Sequence, residues 1–147
     1  MLINKNITHI TKSTNQPQWY VVDAKNHNLG RLSSKIAYIL KGKNDSHYIP
    51  YVRNKVYIII LNSKLIKITG NKKNQKMYRR HSGKPGGLKT ETFEQLQQRL
   101  PNKIIEKSIK GMLPKNTTGR RLFTQIKVYP DHQHPHTAQQ PLPLTIT

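Results

Sequence analysis

Between Lys76 and Leu88 the chain reads Lys-Met-Tyr-Arg-Arg-His-Ser-Gly-Lys-Pro-Gly-Gly-Leu. Lys76, Arg79, Arg80, His81 and Lys84 can all carry positive charge there, and no acid stands among them. Gly83, Gly86 and Gly87 let backbone approach a ligand closely, since no Cβ intervenes. Forked guanidiniums, amide N–H groups and close approach together suit phosphate oxygens. A merely solvated turn needs neither adjacent arginines nor three glycines. The stretch therefore reads as a contact for the RNA or DNA backbone, with Ser82 as a further polar contact and Lys72 and Lys89 flanking it.

Other chemistries fit less well. His81 beside Ser82 resembles part of a nucleophilic constellation, but the acids are few and scattered and no third member can be nominated. Gly83-Lys-Pro-Gly86 matches the GXXG clamp of KH domains, yet a strand-like run precedes it and Pro85 disfavours the helix–loop–helix setting. His132, His134 and His136 alternate as metal ligands can. Only Asp131 is a nearby carboxylate, cysteine is absent, and Pro135 favours a plain extended tail. No Walker-type run exists, and no Gly-x-Gly-x-x-Gly follows the first strand. The expectation is no cofactor, no metal and no small-molecule substrate.

Composition points the same way. Across 147 residues, 26 Lys and Arg face 6 Asp and Glu, a formal net charge of +20. A domain so charged repels itself unless it lies against a polyanion, and nucleic acid is the commonest one. An anionic membrane is the rival, but no stretch has the length of a span and no helix opposes an aromatic face to lysines. Absent cysteine excludes disulfides and thiolate metal sites. Arg31, Lys35, Lys41 and Lys43 precede the first acid after them, Asp45, and Lys103, Lys107, Lys110, Lys115, Arg120 and Arg121 are opposed only by Glu106. Helix faces of one sign in succession favour an electrostatic footprint over solubility alone.

The elements that must position these groups follow from periodicity. Residues 1–18 read as a polar extension, neither signal peptide nor persuasive transit peptide. Residues 19–129 read as one domain and 130–147 as an extended tail without periodicity. Trp19–Asp23 is an aromatic and β-branched strand. Leu32, Ile36, Ile39 and Leu40 fall at helical spacing up to Gly42. Val56–Leu61 is a continuous apolar run, as in a strand buried on both faces of a parallel sheet. Asn62-Ser63-Lys64 starts a short helical turn, and Leu65–Thr69 reads as another strand. After Gly87 the pattern turns helical, with Thr90 as N-cap, Phe93, Leu96 and Leu100 on one face, and Pro101 as its end. Pro101–Gly111 is a helix with Ile104, Ile105 and Ile109 inward. Asn116 or Thr117 caps a third helix, and Ile126–Tyr129 is a last strand.

Several blocks resemble a known family: Trp19-Tyr-Val-Val-Asp-Ala24, Leu29-Gly-Arg-Leu32, Thr69-Gly-Asn-Lys72, Tyr78-Arg-Arg-His-Ser-Gly83, Pro85-Gly-Gly-Leu-Lys89, Ile109-Lys-Gly-Met-Leu-Pro-Lys-Asn116, and His134-Pro-His136 with Ala138-Gln-Gln-Pro141. In this order they are similar to ribosomal protein thirteen of the large subunit, bacterial and plastid type. The resemblance runs from Trp19 to the C-terminus. It implies a three-layer α/β/α domain with a four-stranded, mostly parallel sheet, extended basic loops and tails, and no enzymatic activity. It also implies a structural place on large-subunit rRNA beside neighbouring ribosomal proteins, and an early role in subunit assembly. The family's RNA-contacting loops correspond to Tyr78–Lys89, Lys110–Lys115 and Arg120–Arg121. One departure stands out: Arg53-Asn54-Lys55 replaces the acidic turn usual after the Tyr-Ile-Pro segment, inverting the local charge.

Two other functions compete with this expectation. One is a nucleic-acid enzyme on an α/β core with His81 as base; the other is an architectural DNA binder. Heavy use of Lys, Asn and Ile, whose codons are A/T-rich, fits a plastid-encoded copy, with the bacterial cytoplasm as the alternative location.

Overall fold

The computed structural model describes residues 16–46, 48–50 and 54–146. The expected N-terminal extension lies outside these but for its last three residues, as do Tyr51 and Arg53. Strand β1 (Gln18–Asp23) leads through a turn into helix α1 (Leu29–Leu40), and strand β2 (Val56–Leu61) follows. β1 and β2 pair in parallel, Gln18 opposite Val56 through Asp23 opposite Leu61, which requires the crossover that α1 supplies. Leu32, Ile36, Ile39 and Leu40 are all buried, so the helical period located the inner face correctly. In β2, Ile58, Ile59 and Ile60 are each fully buried, as a central strand demands.

Downstream come a short helix α2 (Lys72–Gln75), strands β3 (Met77–His81) and β4 (Leu88–Thr92), and helices α3 (Phe93–Arg99), α4 (Pro101–Met112) and α5 (Thr117–Thr124). Strands β5 (Ile126–Val128) and β6 (Leu142–Pro143) complete the chain. The main sheet has the order β5-β2-β1-β6, every pair parallel, and helices flank it. This is the α/β architecture with a four-stranded sheet that the resemblance implied. α4 packs along α1, and Ile104, Ile105 and Ile109 are buried with Phe93 in one core. Fully burying each such side chain contributes about 1.5–3 kcal/mol.

Three local expectations are corrected. Leu65–Thr69 is not a strand: a 3-10 turn spans Ser63–Leu65, and one isolated bridge joins Lys67 to Asn28. The backbone at Lys67 bonds only to His27 and Leu29, the entry to α1, so no ladder can grow. The fourth strand comes instead from the C-terminal segment, where Leu142 and Pro143 pair with Tyr20 and Val21 and the Leu144 N–H donates to the Val21 carbonyl at 2.9 Å. The N-cap of α3 is Thr92, not Thr90. Thr92 Oγ1 accepts from the Gln95 N–H and Gln95 Oε1 accepts from the Thr92 N–H, a reciprocal capping box. Thr90 and Glu91 are occupied in β4, paired with Arg79 and Tyr78.

The face of β1 and β2 away from α1 carries the stacked rings of Trp19 and Tyr57, 4.5 Å between centroids. His136 from the C-terminal segment lies 5.3 Å from Trp19 and hydrogen-bonds Tyr129 at 2.8 Å. His134 and His136 thus belong to a packed tail, while His132 is exposed. Among the described residues no three His, Asp or Glu side chains are grouped to hold a metal ion.

Candidate nucleic-acid interface

β3 and β4 form an antiparallel hairpin, Met77 opposite Thr92 to His81 opposite Leu88. Side chains alternate across it, so Tyr78, Arg80, Lys89 and Glu91 share one face, while Met77, Arg79, His81 and Leu88 share the other. The Tyr78 ring anchors the hairpin to the core, 6.4 Å from Phe93, and the Phe93 N–H donates to the Lys76 carbonyl at 2.8 Å. The connecting loop holds itself together. Ser82 N–H donates to the Gly87 carbonyl, Gly87 N–H donates to the Lys84 carbonyl, and Gly83 N–H donates to His81 Nδ1 at 2.9 Å. Gly83 and Gly86 take φ of 86° and 71°, values that side-chain-bearing residues rarely adopt.

The bond from Gly83 fixes the chemistry of His81. Its Nδ1 is an occupied acceptor, so the neutral ring carries its proton on Nε2 and presents a donor outward. A donor facing solvent can contact a phosphate oxygen and cannot act as a general base there. Arg79, Arg80, Lys84 and Lys89 are all exposed. Among the described residues, the ion pairs are Lys64–Asp131, Arg99–Glu91 and Lys103–Glu106, and neither Arg79 nor Arg80, both on β3 rather than in the loop, takes part in one.

The hairpin and α4 enclose a cleft of about 350 Å³. Tyr78, Leu96, Leu100 and Phe123 give it an apolar floor. Leu100, expected on the inner face of α3, is 41% exposed here because α3 ends before it. Arg79, Arg80, Arg99, Lys103, Lys107 and Lys110 surround that floor. Lys107 Nζ stands 5.0 Å from the Tyr78 ring centre and Lys110 Nζ 5.8 Å from that of Phe123. Burial raises the Tyr78 phenol above its ordinary pKa. The Arg99 hydrogen bond holds the Glu91 carboxyl below the usual carboxylate range, helped by the charges of Arg99, Arg80 and Lys107 and against some desolvation. Both acids of the cleft are thereby neutralised by their own cations.

The remaining candidates fall into separate patches. Lys72 opens α2 and Lys76 leads into β3, its Nζ 5.5 Å from Tyr78. Lys41 and Lys43, just past α1, line a small cleft of about 210 Å³ with Pro114 and Asn116, the residues flanking exposed Lys115. Asn116 Oδ1 accepts from the Gly119 N–H and caps α5, whose Arg120 and Arg121 are exposed. Arg31 lies apart on α1, beside Lys35 and Tyr38. Sequence reasoning did not single out Arg99, and it treated Lys103 and Lys107 only as parts of a basic helix face. The helical spacing of Lys103, Lys107 and Lys110 was the available signal.

A phosphate-suited loop on a basic α/β domain finds its match among known proteins. The family model described as Ribosomal protein L13 matches residues 17–135. The large ribosomal subunit protein uL13c of Gracilaria tenuistipitata var. liui is 56% identical over 140 residues, 95% of this chain and 98% of that protein. The uL13c of Porphyra purpurea is 57% identical over 136 residues, 92% of this chain and 96% of that protein. The uL13 of the cyanobacterium Thermosynechococcus vestitus is 56% identical over 130 residues, covering 88% and 86%. With the match spanning β1, β2 and β5, the hairpin and helices α1 to α5, the chain belongs to the ribosomal protein L13 family, which is structural and not enzymatic.

Proposed function

We propose that the protein is a structural constituent of the large subunit of a plastid ribosome, where it binds large-subunit rRNA, touches neighbouring ribosomal proteins and supports early assembly. Relatives named large ribosomal subunit proteins support the ribosomal role, and the uL13c proteins of red algae support the plastid. The observation that carries the RNA contact is the β3–β4 hairpin: Arg79 and Arg80 on β3 are exposed and outside the ion pairs of the described residues, and exposed Gly83, Lys84 and Gly86 form its tip. Lys41, Lys43, Lys115, Arg120 and Arg121 extend the cationic surface and Arg31 adds a second contact. The sheet and the buried helix faces are scaffold. Each phosphate neutralised releases counterions, so affinity falls steeply with salt.

Sedimenting an organellar lysate through a density gradient tests this reading. The chain should travel with large subunits and remain on them after a moderate salt wash. A chain left at the top of the gradient under low salt would refute it.

A further inference from the structure

We propose that the cleft between the hairpin and α4 is a pocket for a single unpaired nucleotide, whose base lies on the Tyr78 ring while its phosphates meet the surrounding cations. This deepens the reading above and rests on it. Duplex phosphates alone would need only the charges. The cleft has in addition an apolar floor from Tyr78, Phe123 and the exposed Leu100, and its 350 Å³ is within the range of small-ligand sites. A flat, π-faced ligand carrying negative charge satisfies both parts at once, and unpaired RNA bases are recognised by such stacking.

Charge decides the occupant. Glu91 and Glu106 are already held by Arg99 and Lys103, leaving Arg80, Lys107 and Lys110 around the floor outside the ion pairs of the described residues. A peptide segment would have to be strongly acidic to sit there; a nucleotide supplies its anion with its ring. The ring contacts of the two lysines fit the same occupant. An ammonium 5.0 Å from the Tyr78 centre marks a ring face that opens into the cleft. An entering base takes that face, and the displaced Lys107 Nζ, on a flexible stem, turns to the adjoining phosphate. Lys110 over Phe123 provides a second cation on the same side.

The test uses two RNA stem-loops of one sequence, one carrying a single bulged 2-aminopurine and the other with that base paired. The full chain should bind the bulged stem roughly ten-fold more tightly, the order of effect one stacked base supports. The bulged base should lose fluorescence on binding. Tyr78→Leu and Phe123→Leu keep apolar volume without a π face, and each should bring the preference close to one by weakening the bulged stem's binding more than the paired stem's. Far-UV circular dichroism checks both folds. If Tyr78→Leu unfolds, Phe123→Leu, in a half-buried position, carries the test alone. Equal binding of the two stems by the wild-type chain, without a fluorescence change, would give the cleft to a protein segment or to solvent and overturn the pocket, with RNA binding intact. Binding of neither stem would overturn both readings.

Discussion

Arg99 holds both carboxylate oxygens of Glu91 through one nitrogen, at 2.8 and 2.6 Å, and so ties the end of β4 to the last turn of α3. The pair also removes the hairpin's acid from competition with an incoming phosphate. Glu91→Gln should free Arg99, raise RNA affinity and steepen the slope of log K against log salt by about one. A binding series in increasing KCl measures this; an unchanged slope means that Arg99 reaches no phosphate.

Arg79 and Arg80 lack such partners, so their loss should act in the opposite direction. Arg79→Ala with Arg80→Ala should weaken rRNA binding and flatten the same slope by about one to two. Thermal stability should barely move, because exposed, unpaired side chains contribute little to the fold. Weakened binding with an unaltered slope would indicate lost shape rather than lost phosphate contacts.

The scaffold was more legible in the sequence than the interface. The periods of α1 and α4 and the apolar run of β2 are direct images of burial, and burial is what periodicity reports. β4 escaped because Leu88-Lys-Thr-Glu-Thr92 has a single apolar residue and buries none of its side chains fully. Alternating Thr90 and Thr92 were a faint strand signal, overridden by their resemblance to helix caps. β6 is two residues long and contains Pro143, tolerable at a sheet edge and invisible to pattern. Arg79 and Arg80, on β3, could be singled out because local chemistry alone marks them. The cleft was not, since Tyr78, Leu100 and Lys107 meet only where the hairpin, packed on α3, faces α4.

Two helical glycines should respond oppositely to alanine. A Cβ on Gly119, in the first turn of α5, would overlap the Pro114 carbonyl, which is backbone and cannot swing aside. Gly119→Ala should therefore destabilise by about 1–3 kcal/mol, the usual cost of overpacking. Gly111 in α4 has nothing within 4 Å of the same position. Gly111→Ala should stabilise by about 0.5–1 kcal/mol through helix propensity. Urea unfolding of both variants measures the contrast, and equal shifts would contradict the close approach at Pro114.

The packing of the C-terminal segment around His136 should weaken in acid. His136 is packed against Trp19 and Tyr129, with His134 6.4 Å away, and its ring titrates below the ordinary value of 6.5. Burial is the first cause, and the nearby charges of His134 and Lys127 add to it. A lowered folded value means that the unfolded segment takes the proton first. The stabilisation is complete above the free value and fades as pH falls through the folded one. Trp19 is the chain's single tryptophan, so its emission reports the event directly. Its spectrum should shift as pH drops from about 7.5 to about 5, across the range where histidine titrates. His136→Gln should remove that shift. If the variant titrates as the wild type does, the proton goes to another histidine, and the tail is held by β6 rather than by this ring.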